Sequence, residues 1–183
     1  MFAEFTNKID DLIPFEIPNT WEWIRLGTVG ESNIGLTYKS SDITNSKGIL
    51  VLRSGNIQNG KMSYCDNLYV SCEVPQKAMI YKNDLLICAR NGSRSLVGKC
   101  AIVDIEKASF GAFMTKFSSK FNPYIKIFLY SPTFRNQLDN VKTETINQIT
   151  QKNLQNQLLP LPPFEEQIKI VNTINKIYSI LDC

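Results

Sequence analysis

The chain has 183 residues, 43% of them hydrophobic, enough for one domain with a real core and too apolar for a disordered segment. It contains no histidine, so the Ser-His-Asp and Cys-His nucleophile systems and the commonest zinc ligand are excluded. The net charge of +3 is unevenly spread: Arg25 to Lys152 hold 17 basic and 9 acidic residues (+8), the two flanks 3 and 8 (−5), a basic body that suits either a polyanionic partner or a solvated surface.

The N-terminal MFAEFTNKIDDL has acids and no basic region, so it does not read as a signal peptide. No apolar run approaches the roughly 18 residues of a membrane span. Five cysteines without a CxxC pair read as reduced thiols of a cytoplasmic protein, with spacings wrong for a metal site. Pro14 and Pro18 make the following approach extended, and TWEWIRLG (20–27) suits a strand or tight turn into the body. Strand signals then run to about Phe121. GILVLR (48–53) is a short apolar run, Asn59-Gly60 is a hairpin turn leading into KMSYC, and AMIY and LLICA flank the turn Lys82-Asn83-Asp84. SLVGKCAIVD and ASFGAFMTKF continue the series, with glycines at bends or bulges.

The pattern changes at Asn122, expected as an N-cap with Pro123 as the first helical residue. Ser131-Pro132 repeats the start signal for a second helix through Phe134 and Leu138. A polar stretch (141–159) follows, in which Thr150 is expected to cap a short helical turn. LPLPPFEEQ (159–167) then places three prolines within four residues, predicting a stiff extended strap over 160–163 before the last helix. In that helix Ile170, Val171, Ile174, Ile177, Tyr178 and Leu181 fall on heptad positions g, a, d, g, a and d. So wide a stripe on so short a helix calls for a second helix to cover it, giving a homodimer if that helix comes from another copy.

Three segments approach catalytic motifs and miss. GNIQNGKM (55–62) has the glycines and lysine of a phosphate-binding loop, but Met62 replaces the Ser or Thr that would hold magnesium, and the context is a hairpin. GSRSLVGK (92–99) has one residue too many between its glycines and leads into a strand. LPPF (161–164) resembles the Asp/Asn-Pro-Pro-aromatic signature of amino-methyltransferases, yet Leu161 cannot accept a bond from the target amine. No cofactor is expected, and the chain reads as non-catalytic. The crowding of Arg90, Asn91, Ser93 and Arg94 into one loop remains to be explained.

IPNTWEWIRLG (17–27), ILVLRSGNIQNGKM (49–62), NDLLICARNGSRSLVGKCAIV (83–103) and LPLPPFEEQIKIV (159–171), in that order, resemble the target-recognition domain of type I restriction–modification DNA specificity subunits. The resemblance covers nearly the whole chain. It implies sequence-specific double-stranded DNA binding on one half of a split target, with methyltransferase and restriction subunits as partners that carry the chemistry. Such subunits usually hold two of these domains, so the chain resembles a half-subunit or a fragment of one. On this reading residues 1–163 form the DNA-reading domain and 164–183 begin the spacer or dimerisation helix. The strap would set the angle between them. The expected fold class is α/β (α+β): a curved, mostly antiparallel sheet, a few helices late in the chain, and an exit helix of coiled-coil type. The DNA-facing candidates are Tyr38, Lys39, Arg53, Ser54, Asn56, Arg90, Asn91, Ser93, Arg94, Lys99, Thr143, Thr145 and Gln148, with Lys99 and Lys116 as phosphate contacts. The rival reading is a protein–protein scaffold that binds no DNA and associates through its C-terminal helix.

Overall fold

LLIC, the run Leu85–Cys88, is apolar at every position, and a strand without alternation is one covered on both faces. The computed structural model describes Ile9, residues 12–140 and residues 147–181. Twelve strands come first: β1 (Glu22–Arg25), β2 (Glu31–Ile34), β3 (Ile43–Thr44), β4 (Ile49–Leu52), β5 (Ile57–Gln58) and β6 (Lys61–Met62). Then come β7 (Tyr69–Val70), β8 (Met79–Tyr81), β9 (Leu85–Cys88), β10 (Cys100–Ile102), β11 (Lys107–Phe110) and β12 (Met114–Ser118). The helices α1 (Asn122–Leu129), α2 (Pro132–Asn140) and α3 (Gln151–Gln155), a last strand β13 (Leu158–Leu161) and the helix α4 (Phe164–Leu181) close the chain.

A four-stranded antiparallel sheet, ordered β10-β9-β12-β2, is the middle layer. Successive residues of β9 point to opposite faces and feed two cores. Leu85 and Ile87 join Cys100, Phe117, Phe128, Leu129 and Phe134 under the helices. Leu86 and Cys88 join Leu52, Ile80, Ala101, Phe110 and Met114 beneath the second sheet. That sheet, β3-β7-β4-β11-β8, is antiparallel except where β4 runs parallel to β11. The α+β class, the antiparallel bias and the late helices are as expected. The single sheet is not: AMIY and LLICA adjoin in sequence, yet β8 pairs with β11 and β9 with β10 and β12. The turn between them, with Asn83 at φ 73°, passes the chain from one layer to the other.

The Asn59-Gly60 turn, with both residues at positive φ, joins β5 and β6 in a hairpin, which disposes of a phosphate loop there. Thr150 caps α3, its hydroxyl accepting the Asn153 N–H at 3.1 Å. Asn122 does not cap α1. Phe121 occupies that position, and the buried Asn122 amide instead donates to the carbonyls of Asn83 (2.8 Å) and Phe117 (3.0 Å). Both N–H groups of the buried amide are satisfied in this way, whereas its carbonyl oxygen, the atom that would cap the helix, has no partner among the described residues.

The proline strap is half strand. β13 pairs antiparallel with β1, setting Pro160 opposite Trp23, in a two-stranded ribbon where a missing N–H is tolerated. Tyr124 of α1 donates its hydroxyl to Pro160 O (2.6 Å), Gln167 donates to Pro162 O (2.8 Å), and the Trp21 indole reaches Glu166 (3.0 Å). Burial drives the Tyr124 phenol well above its usual range, so it remains a donor. Ile170 and Val171 pack on the helix-side core, whereas Ile177, Tyr178, Ile180 and Leu181 are 50–72% exposed. The first turns of α4 therefore belong to the body and its last turns do not.

Candidate nucleic-acid interface

Where the chain crosses between the two sheets, it leaves a cluster of loops at one edge. Leu36, just before Tyr38 and Lys39, forms a parallel bridge with Gly111, and its N–H meets Phe110 O at 2.6 Å. The Gly111 N–H bonds Leu52 O at 2.9 Å, which brings Arg53 and Ser54 alongside the turn from β11 to β12. The carbonyl of Phe113 in that turn accepts from both Ala89 and Arg90 N–H at 3.0 Å. Arg90 in turn bridges Gln148, and the Asn147 amide donates to Gly92 O at 3.2 Å. Five loops from distant parts of the sequence thus share one edge.

The side chains there divide by what holds them. Arg90 is exposed, its guanidinium carbon 5.5 Å from the centroid of the Phe113 ring. Arg94 pairs with Asp139 and Arg53 with Asp66, the latter at 2.8 Å, both at the surface. Exposed pairs of this kind are worth only about 0–1 kcal/mol, so a phosphate or base can displace either carboxylate. The Asn91 carbonyl oxygen accepts the Ser93 N–H, and the Ser93 hydroxyl meets Ser95. Tyr38 is half-buried against the cluster of Leu36, Val51 and Val70, and Lys39 is exposed.

Other expected contacts are spent inside the fold. Asn56 is 1% exposed: its carbonyl oxygen caps Arg53 N–H (2.9 Å) and its amide reaches Ser63 O (2.9 Å), so it shapes the loop and cannot face a ligand. Lys99 is half-buried and donates to Ile57 O at 3.1 Å. Lys116 is buried, donates to Met79 O at 2.7 Å and lies 5.9 Å from the centroid of the Tyr81 ring. Neither lysine lies free for a phosphate. Thr143 and Thr145 lie outside the described residues. Gly98, at φ +86° with Arg135 against it, serves the backbone as expected, whereas Gly92 has open space around its α-carbon and needs no glycine for the fold. Sequence reasoning missed Phe113. ASFGAFMTKF reads as strand with a glycine bend, and only the sheet crossing leaves this ring 62% exposed.

Residues 18–182 match the family model of the type I restriction modification DNA specificity domain. The chain belongs to that family. It is 28% identical to the EcoAI type I restriction enzyme specificity subunit of Escherichia coli over 92% of this chain and 30% of that one. The StySPI specificity subunit of Salmonella potsdam is 29% identical over 91% of this chain and 38% of its own length. Among solved structures, a chain from the type I R-M system has a TM-score of 0.75 at 24% identity, covering 92% of this chain and 41% of that one. The HsdS subunit from Thermoanaerobacter tengcongensis has a TM-score of 0.70 at 23% identity, covering 92% and 40%. This DNA specificity domain therefore spans about a third of the length of the curated relatives it matches. Its kin are specificity subunits, and the family places it with DNA recognition and not with an enzyme's catalytic chain. Among the described residues no helix is long and apolar enough to cross a membrane.

Proposed function

We propose that this specificity domain reads one half of a split double-stranded DNA target through the loop edge around Arg90. Tyr38, Lys39, Arg53, Ser54, Arg90, Asn91, Ser93, Arg94 and Gln148 supply the contacts. Methyl transfer and cleavage fall to methyltransferase and restriction subunits bound elsewhere. Residues up to Pro163 form the reader, and α4 begins the spacer through which a second copy, or a second domain of the same kind, is held. The observation that carries this reading is the gathering of three arginines with Asn, Gln and Ser groups on one rigid edge. Arginine bonds guanine O6 and N7 in pairs and Asn or Gln does the same with adenine, each pair discriminating by roughly 1–3 kcal/mol. The exposed end of α4 favours protein contact as well, but as an addition, since the family is one of DNA specificity.

The test is selection of bound duplexes from a random pool, followed by titration of the recovered site at several salt concentrations. Affinity should fall steeply with salt, log K losing about 0.9 per log unit for each phosphate neutralised. Arg94→Ala should relax preference at one position of the site, while Lys39→Ala should weaken all sequences alike and lower the salt slope by about one. A pool that yields no enriched sequence would remove the reading. Arg94→Ala with unchanged base preference would reduce its loop to a phosphate clamp.

A further inference from the structure

We infer that Phe113 and Arg90 work as one unit, the ring contacting a thymine methyl and the guanidinium bonding a guanine of the adjacent base pair. The inference rests on the DNA reading above and names what part of the edge recognises. Phe113 is 62% exposed, more than any other described phenylalanine. Phe110, Phe117, Phe128 and Phe134 are buried, Phe15 packs on Trp23, and Phe121 meets Phe164. Covering such a ring would gain part of the roughly 1.5–3 kcal/mol that full burial of a phenylalanine brings, so a partner seated there is rewarded.

The turn that carries the ring is also held in place. Its own carbonyl takes two N–H groups from Ala89 and Arg90, Met114 N–H closes the turn on Gly111 O at 2.8 Å, and Gly111 and Met114 on either side are buried. An aromatic side chain on a fixed backbone has only two torsions to lose on binding. Arg90 lies over the ring at 5.5 Å and, among the described residues, pairs with no carboxylate, unlike Arg53 and Arg94. With no carboxylate on it, the Arg90 guanidinium can offer its N–H groups to a base. The separation of the two groups falls within two base-pair rises of about 3.4 Å each. Phenylalanine against the thymine methyl and arginine against guanine O6 and N7 are both contacts the major groove offers.

In the recovered duplex, each thymine is replaced in turn by uracil, which removes the methyl and nothing else. For the full chain, one replacement should weaken binding about fourfold, the factor for one buried methyl group. Phe113→Ala should bind the thymine and uracil duplexes equally, and Arg90→Ala should lose its preference for the guanine beside that thymine. Because the ring is exposed, Phe113→Ala should melt at the wild-type temperature, which separates loss of contact from loss of fold. Three results would overturn the inference while leaving DNA reading intact: a recovered site without thymine, indifference of the wild type to every uracil, or methyl sensitivity that survives in Phe113→Ala. A pool with no retained duplex would overturn both.

Discussion

Gly92 and Gly98 sit in the same loop, yet the fold asks different things of them. Gly98 has φ +86°, and a Cβ there would come within 3.3 Å of Arg135. Gly98→Ala should therefore cost about 1–2 kcal/mol, the penalty of the left-handed conformation, and lower the melting temperature by several degrees in a scanning calorimeter. Gly92→Ala meets no atom within 4 Å and should melt with the wild type. If DNA approaches the backbone at Gly92, that same variant should bind its duplex more weakly, a loss that stability cannot explain. Residue type alone misleads at this scale. Arg90 and Asn91 were legible as site candidates because polar groups crowding a short loop between apolar strands need an outlet. Asn56 and Lys116 carry the same chemistry but are buried, and burial is decided by distant segments that one sequence does not show side by side.

Local chemistry made most elements legible. The Asn-Gly turn, the Ser131 and Thr150 starts and the long apolar stripe each depend on neighbours a few residues away. The parallel pairing of β4 with β11, and the parting of β8 from β9 into separate sheets, depend on contacts between remote strands and left no local mark. The ribbon of β1 and β13 lies between these cases: its prolines signalled extension, but not the partner strand. Tyr124 ties that ribbon to α1 through Pro160 O. Tyr124→Phe should cost about 1 kcal/mol in a denaturant titration. It should also speed amide exchange in Glu22–Arg25 and Leu158–Leu161 before it does so in β9. Unchanged exchange in the ribbon would mean that the β1–β13 ladder holds without the tyrosine.

At the scale of the whole molecule, α4 has two halves with different duties, where its sequence shows one continuous stripe. Val171→Asp puts a charge against the helix-side core and should lower stability by about 0.5–3 kcal/mol whatever the state of association. Ile177→Asp with Leu181→Asp alters only exposed positions and should leave the melting temperature unchanged at concentrations where the wild type is monomeric. In sedimentation equilibrium the wild type should self-associate and the double variant should not. A wild type that stays monomeric would remove self-association through the stripe.

The pairing of β1 with β13 also bears on how such a domain can be exchanged. Its first and last strands run side by side, Glu22 opposite Leu161, so both chain connections leave from one seam. If the segment between them is the reader proposed above, two cuts at that seam would release it, and two joins there would graft it onto another spacer with its loop edge undisturbed. On that reading a protein hung in this way would acquire a new target by replacing a module, with no need to rebuild the helix.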